Sequence, residues 1–195
     1  MKKRKRFNLS DLAKILPEMD REEQQSSQGG DWYFTPDGTP LGHVGVGDTV
    51  RVVDSRVFDQ NRFSESLLNE RGATILSQAD LSAQYKVLRT LADGTPVGIG
   101  YYNNTNKYGQ TEYCDGESYV SINENTDVFR NANYFNLRMV LYHENIHVGQ
   151  GEELNTNLYN CEKEAYFLMM AHMDFLNCTP EFQDAIRHSA EKYYG

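Results

Sequence analysis

A five-residue segment, His143–His147 with the sequence HENIH, places two imidazoles and one carboxylate at a spacing that suits metal chemistry. Residues four apart lie on the same face of a helix, so His143 and His147 can bind one Zn²⁺ ion together. Glu144 would lie beside the open position of the metal, where it could take a proton from water. The spacing therefore predicts a zinc site with His143 and His147 as ligands and Glu144 as general base.

The segment that carries these residues has the composition of a buried helix, which we expect to run from Asn133 to Gln150. Glu144 is the only charged residue between Arg138 and Glu152 when histidine is counted as neutral. Ligating groups inside an apolar helix are costly unless they are paired or bound to metal, which favours a metal site. The alternative is a partly exposed helix with two incidental histidines and no metal.

A zinc ion of this kind needs a third protein ligand, and its candidates lie downstream of the HENIH segment. The metzincin continuation HxxGxxH is absent, because Gln150 stands at its glycine position and Glu153 at its last histidine. A second helical run, predicted between Asn160 and Leu176, holds the better candidates.

The two helical runs together resemble the gluzincin type of zincin metallopeptidase, in which a glutamate on a second helix completes the zinc site. In the family pattern ExxxD or ExxA(D/N), Glu162 takes the ligand position, Ala165 the small residue and Tyr166 the place of Asp or Asn. The resemblance implies Glu162 as third ligand, with Glu164 as the alternative and Glu153 behind both. Helical Glu162 and Glu164 point about 200° apart, so only one of them can face the metal. Tyr166 is not a carboxylate, although its hydroxyl can still donate a hydrogen bond.

The resemblance implies a zinc-dependent peptidase that acts on a protein or peptide, with Zn²⁺ as cofactor and Glu144 as the base that activates water. A second donor would stabilise the oxyanion. Tyr166, His172 and His188 are the candidates for that donor or for support of the ligands. Two other classes stay open: a catalytically degenerate zincin-like binding protein, and a secreted bacterial effector or toxin that uses this chemistry on one target.

The length of 195 residues suits one domain, and no apolar run approaches the roughly 20 residues of a membrane-spanning helix. Cys114, Cys161 and Cys178 have no CxxC spacing, so they indicate neither a zinc knuckle nor a redox pair. We expect three reduced thiols, with a disulfide between Cys161 and Cys178 as the alternative.

Charge is distributed unevenly along the chain. Residues 1–30 carry seven Lys/Arg and five Asp/Glu, which leaves 12 basic and 23 acidic residues of the totals of 19 and 28 for the rest. Phosphates bind Lys and Arg, so this acidic body argues against nucleic acid as a partner.

The first thirty residues differ from the rest of the chain and end in a glycine pair. They begin with the basic run Lys2–Arg6, lack the apolar core of a secretory signal, and end in Gly29-Gly30. They resemble a double-glycine leader, which peptidase-containing bacterial ABC exporters recognise and cut after the second glycine. The resemblance implies such an exporter as partner and an extracellular location; the alternative is a disordered basic segment on a cytoplasmic protein. In either case residues 31–195 are expected to form a single zincin-like metallopeptidase domain.

From Asp31 onward the hydrophobic period changes to two, which indicates β-strands. Trp32–Phe34, Leu41–Val46 and Thr49–Val53 are separated by turn-forming residues and predict an antiparallel meander. The expected fold is therefore α+β, with N-terminal antiparallel hairpins followed by a helical, zincin-like half that carries the metal site.

A near copy of the first turn occurs later in the chain, at Asp93–Gly98 against Asp37–Gly42. It predicts a second hairpin between strands at Tyr85–Leu91 and Val97–Tyr102. Two such hairpins suggest an internal duplication, although shared turn chemistry explains the six-residue match equally well. The stretch Asp59–Ala83 is expected to be weakly helical or irregular.

The sequence also indicates the structure of three further segments. Tyr101–Ser118 is polar and rich in tyrosine, which indicates a long surface loop or the rim of a substrate cleft. Tyr119–Ile122 alternates as a strand, and in zincins an edge strand next to the active-site helix pairs with the extended substrate. Thr179 and Pro180 predict the start of a last helix, as N-cap and first helical residue.

Overall fold

The structure, a computed structural model, describes residues 30–45, 47–58, 64–102 and 107–194, with the backbone alone given for 65 and 66. In this part of the chain the strands come first and the long helices last, in a mixed α/β fold. The expected order of N-terminal strands and C-terminal helices is confirmed at this level. Of the leader-like segment, the structure describes only Gly30. Val46, 59–63 and 103–106 also lie outside the described residues.

The first sheet has four strands in the order β2-β1-β3-β4. These are β1 (Asp31–Phe34), β2 (Pro40–Val44), β3 (Val50–Val52) and β4 (Thr74–Ile75). The hairpin of β1 and β2 is antiparallel, as expected, but β3 lies on the other side of β1 and runs parallel to it. The predicted meander is therefore wrong at its third strand.

The position of β3 is set by contacts that are distant in sequence. The buried carboxylate of Asp31 accepts a hydrogen bond from Thr49 N at 3.0 Å and forms an ion pair with Arg51. Backbone bonds then join this region to the segment that precedes the HENIH helix, from Val50 N to Ala132 O at 2.7 Å. Turn composition carries no information about such pairings, so the sequence pattern could not place β3.

Helix α1 (Glu65–Glu70) and helix α2 (Leu81–Leu91) precede strand β5 (Val97–Gly100). The predicted second hairpin is wrong, because Tyr85–Leu91 belongs to α2. The buried residues of α2 follow a helical spacing, and they include Ala83, Val87, Leu88 and Leu91. Asp93 and Gly94, with φ of 52° and 96°, end the helix in the left-handed region. The repeated turn thus follows a strand once and a helix once, which contradicts an internal duplication.

The second sheet has the order β5-β7-β6, with β6 at Gly109–Cys114 and β7 at Glu117–Asn123. Strand β7 is central, parallel to β5 and antiparallel to β6. Two expectations are corrected here. The segment Tyr101–Ser118 contains strand β6 and is not one long loop. The edge strand beside the HENIH helix is β6, because Tyr119–Ile122 lies within β7 and is paired on both sides.

The C-terminal part is helical, with short helices between long ones. Its elements are α3 (Asp127–Asn131), α4 (Tyr134–Gln150), α5 (Glu153–Thr156), α6 (Leu158–Ala171), a 3-10 turn (Met173–Asn177) and α7 (Pro180–Tyr194). Helix α4 carries the HENIH segment and spans almost the range expected from the sequence. It packs against β6, β7 and α6, and α6 packs in turn against α7.

Side-chain caps define where α4 and α7 begin. Asn133 caps α4 by accepting a hydrogen bond from Asn136 N at 3.0 Å. The side chain of Asn136 in turn accepts from Thr179 N at 3.1 Å, and Thr179 Oγ1 caps α7 by accepting from Phe182 N at 3.4 Å. The predicted helix start at Thr179 and Pro180 is confirmed. This linked pair of caps holds the beginnings of the two helices together.

Within the described ranges, no helix is long and apolar enough to cross a membrane. All three cysteines are free: Cys114 is exposed, whereas Cys161 and Cys178 are buried without a bond between them.

Candidate metal centre

Three side chains from two helices converge on one point. His143 and His147 come from α4 and Glu162 comes from the second turn of α6, and one ligand atom from each lies within 4.8 Å of the others. The two Nε2 atoms are 3.1 Å apart, His143 Nε2 lies 3.3 Å from Glu162 Oε2, and His147 Nε2 lies 3.7 Å from Glu162 Oε1. Both histidines are buried, at 8% and 3% exposure.

These distances match the edges of a zinc coordination tetrahedron. With metal–ligand bonds of about 2.0–2.1 Å, two ligand atoms of a tetrahedral site lie about 3.3 Å apart. The two imidazole nitrogens are 3.1 Å apart, and the nearest oxygen of Glu162 lies 3.3 Å from one and the other oxygen 3.7 Å from the second, all close to that value. Three protein ligands leave the fourth position open, which is the arrangement of catalytic rather than structural zinc. The donor set, two imidazoles and one carboxylate, therefore fits a zinc ion.

Gln150 fixes the orientation of His147. Its Nε2 donates to Cys161 O at 3.1 Å and to Glu164 Oε2 at 3.2 Å, so its Oε1 must be the atom that faces His147 Nδ1 at 2.6 Å. His147 then donates a hydrogen bond from Nδ1 to Gln150, and its Nε2 faces His143 Nε2 and Glu162. Two imidazole nitrogens and a carboxylate this close together require a proton or a cation between them.

The alternative third ligands are thereby placed elsewhere. Glu164 bonds Gln150 on the outer side of His147 and is not among the three clustered residues. Glu153 lies on α5 and accepts a hydrogen bond from Asn157 Nδ2 at 3.1 Å.

The Nδ1 side of the His143 ring is held by packing rather than by a hydrogen bond. Its Nδ1 is buried and has no partner among the described residues. Tyr166 lays its ring against the imidazole at a centroid distance of 4.7 Å. The hydroxyl of Tyr166 bonds Ser189 instead. Orientation of His143 therefore comes from an aromatic contact in place of a carboxylate.

Glu144 lies beneath the edge strand of the second sheet. Thr111 of β6 donates its hydroxyl to Glu144 Oε2 at 2.8 Å, which orients the carboxylate. Gly109 leaves room for it, because a Cβ there would lie 2.9 Å from Glu144 Oε1. Burial raises the pKa of Glu144, and the nearby imidazoles and the Thr111 hydroxyl offset this only in part.

The two carboxylates differ in their affinity for a proton. Burial would raise the pKa of Glu162, but hydrogen bonds with His143 and His147 outweigh it and lower that pKa to about 2. The pKa of Glu144 is shifted the other way. Carboxylates whose environments push their pKa values apart commonly divide the roles of anion and proton carrier. Glu162 suits a permanently charged ligand, and Glu144 suits a proton acceptor.

A cavity of about 310 Å³ opens beside this cluster. Its lining comes from the start of β6 and from α4, α6 and α7: Lys107, Tyr108, Gly109, Val140, His143, Glu144, Glu162, Tyr166, Met169, Ile186, Ser189, Lys192 and Tyr193. Burial and the charge of Glu162 raise the pKa values of Tyr166 and Tyr193, so both hydroxyls stay protonated and can donate.

Of the three donors proposed from the sequence, only Tyr166 lines the cavity. His172 packs on Tyr142 and accepts a hydrogen bond from Asp174 N at the start of the 3-10 turn. His188 is exposed and pairs with Glu191 at 3.3 Å. Both histidines therefore lie outside the cavity lining, contrary to the expectation from the sequence.

Sequence reasoning missed the contributions of Gly109, Thr111, Gln150 and Tyr193. Gly109 and Thr111 lie in Tyr101–Ser118, for which the sequence predicts a long surface loop or the rim of a substrate cleft without singling out either residue. Tyr193 lies on the last helix. The apolar stripe of α7 passes through Ile186 and Ala190, and Tyr193 lies one turn beyond Ala190. That stripe was the only signal that could have pointed to it.

Comparison of the chain with protein-family models, curated proteins and solved structures gave no match.

Proposed function

We propose that this protein is a zinc-dependent peptide hydrolase of the zincin type, with His143, His147 and Glu162 as ligands and Glu144 as general base. The observation that carries the proposal is the convergence of the three ligand atoms within 4.8 Å, with a separate buried carboxylate beside them. Two histidines on one helix and a glutamate on a second are the arrangement that the gluzincin resemblance implies.

Zinc bound there would supply Lewis-acid polarisation of the scissile carbonyl and a lowered pKa for water. Glu144 accepts the proton of the attacking water and passes it to the leaving amine. Its raised pKa suits both steps, because the group must hold the proton between them. The Thr111 hydroxyl keeps the carboxylate pointed in one direction during the transfer.

The oxyanion needs a hydrogen-bond donor in the cavity, and two tyrosines of the cavity lining are the candidates. Tyr166 and Tyr193 both line the cavity and both stay protonated at neutral pH. Donors placed in advance at the position of developing charge stabilise the transition state more than water does. These two hydroxyls replace His172 and His188 as candidates for this role.

Strand β6 is the proposed docking edge for the substrate main chain. Within the described sheet it pairs only with β7, so its other edge is open to an added strand. Asn155 Nδ2 already bonds Tyr113 O at 3.0 Å, which leaves the N-terminal half of β6 for the substrate. That half begins at Gly109, in the wall of the cavity. An extended peptide on this edge would pass the cluster.

The proposal is tested by the metal content and activity of the full chain. We expect one zinc ion per molecule and hydrolysis of an unfolded protein such as casein. Removal of the metal with a chelator should reduce hydrolysis to background, and added zinc should restore it. A folded chain that takes up no zinc would contradict the proposal and favour the catalytically degenerate binding protein.

Replacement of Gly109 by alanine is expected to lower kcat/KM about 10- to 100-fold with zinc content unchanged. The new Cβ would lie 2.9 Å from Oε1 and 3.0 Å from Cγ of Glu144, so the carboxylate must move away from its position. A displacement of about 1 Å at a reacting group can cost 100-fold in rate.

The matched control is Gly98→Ala in β5 of the same sheet. Its Cβ would meet Val120 O at 3.5 Å and Ser121 Cβ at 3.7 Å, which are ordinary contacts. We expect this variant to hydrolyse casein at the wild-type rate. Equal activity of the two variants would be incompatible with β6 pressing on Glu144.

A further inference from the structure

Two lysines line the cavity beside the metal cluster, and they come from two different elements. Lys107 lies just before β6, and Lys192 lies in the last turn of α7. Both residues are exposed, which places them at the mouth of the cavity. The acidic residues of the lining are Glu144 and Glu162, the proposed base and the proposed metal ligand.

Neither lysine forms an ion pair with any part of the chain that the structure describes. This is unexpected in a chain whose net charge is −9. Glu191, next to Lys192 in sequence, pairs with His188 instead. The lysine charges are thus available to a ligand in the cavity.

The backbone on both sides of the mouth is anchored. The fully buried side chain of Asn123 donates to Lys107 O at 2.8 Å. On the other side, Tyr159 donates its hydroxyl to Tyr193 O at 3.0 Å and so ties down the end of α7. The hydroxyl of Tyr193 adds a neutral donor near Lys192.

We infer that the cavity binds a carboxylate of the substrate next to the scissile bond, either a free C-terminus or an Asp or Glu side chain. The position of this carboxylate next to a scissile bond rests on the proposed function. The two lysines at the cavity, unpaired among the described residues, do not depend on it. A pocket of about 310 Å³ holds one or two residues, and its mouth offers cations and hydroxyl donors to whatever enters. A basic side chain would meet like charges there, whereas a carboxylate would meet two lysines.

Equilibrium binding of peptides tests recognition of a carboxylate separately from hydrolysis. The full chain with Glu144→Gln, loaded with zinc, is mixed with fluorescent, C-terminally amidated peptides of identical sequence that carry one Glu, Gln or Lys. We expect the Glu peptide to bind about 10-fold more tightly than the Gln peptide, and the Lys peptide to bind most weakly. A fourth peptide, with Gln and a free C-terminus, identifies the source: if it alone gains affinity, the group is the terminal carboxylate.

Substitution of the lysines tests whether they are the cause. In the double variant Lys107→Met and Lys192→Met, the preference for a carboxylate should fall to about 1. The control, Lys86→Met, removes one positive charge from the exposed face of α2, and it should keep the preference, whereas each of Lys107→Met and Lys192→Met alone should reduce it. Equal binding of the Glu, Gln and free-carboxylate peptides, or a preference that survives the double substitution, would overturn the inference.

The outcomes also distinguish this inference from the proposed function. Lysine-dependent carboxylate binding by a wild-type chain that hydrolyses nothing would refute the hydrolase and leave the carboxylate site standing. Hydrolysis without any preference for a carboxylate would refute the site and leave the hydrolase.

Discussion

Replacement of Glu144 by glutamine is expected to lower peptide hydrolysis by about 100- to 10,000-fold, the usual contribution of a general base, while zinc binding is retained. Glutamine has the same shape, and its Oε1 can still accept the hydrogen bond from Thr111 that now measures 2.8 Å. The amide cannot take a proton from water at neutral pH, so only the chemical step is lost. Both imidazoles and Glu162 are untouched by the change.

The measurement is kcat/KM on an unfolded protein together with the zinc content of each preparation. Glu112→Gln is the matched control, because it removes the same charge from an exposed position next to Thr111 in β6. We expect that control to keep the wild-type rate. A Glu144→Gln variant that hydrolyses as fast as the parent would exclude Glu144 as the base.

Zinc affinity should fall most in Glu162→Ala among alanine variants of the three candidate glutamates. Glu162 lies 3.3 Å from His143 Nε2 and 3.7 Å from His147 Nε2, so its loss removes one of three ligands. Groups that merely support a ligand contribute about 10- to 100-fold to metal affinity, and loss of a ligand should exceed that range.

Glu164→Ala is expected to have a smaller effect. It removes one of the two acceptors that orient the Gln150 amide, and Cys161 O still holds that amide in place. Its effect should therefore stay within about 10-fold. Glu153→Ala should leave affinity unchanged, because Glu153 bonds Asn157 away from the cluster. Titration of each variant against a competing chelator decides the order, and a larger loss in Glu164→Ala than in Glu162→Ala would disprove the proposed ligand set.

Tyr166 contributes to the site in two ways that a carboxylate at its position would not. The ring of this residue packs on His143 and lies 5.6 Å from the ring of Tyr193, so it contributes to the cavity wall as well as to the histidine. A carboxylate at this position could bond His143 Nδ1 but would not form this aromatic wall. Orientation of the second histidine depends on Gln150.

Predictions based on local spacing were right where the structure tests them. Helix α4 spans nearly the residues expected, because its apolar positions and its Asn133 cap are local signals. The start of α7 at Thr179 and Pro180 was predictable for the same reason. Such signals depend on residues within one or two turns of one another.

The predictions that were wrong depended on turn chemistry or on contacts between distant segments. Strand β3 pairs with β1 through contacts of Asp31 that span about twenty residues, and nothing in the turn at Gly47-Asp48 encodes them. The turn at Asp93–Gly98 resembles a hairpin turn and so predicts a strand at Tyr85–Leu91. The apolar spacing of that segment, however, is helical. The edge of the second sheet was misplaced because β6 is polar and resembles a loop.

By itself, the sequence determined that His143 and His147 share a face with Glu144 beside them, because a spacing of four along a helix leaves no other arrangement. It could not choose between Glu162 and Glu164. The buried stripe of α6 runs through Cys161, Ala165 and Met169, and the two glutamates flank that stripe on opposite sides. Only the packing of α6 beside α4 decides which carboxylate meets the imidazoles. The same holds for Thr111 and the two lysines, whose roles arise from contacts between elements far apart in the chain.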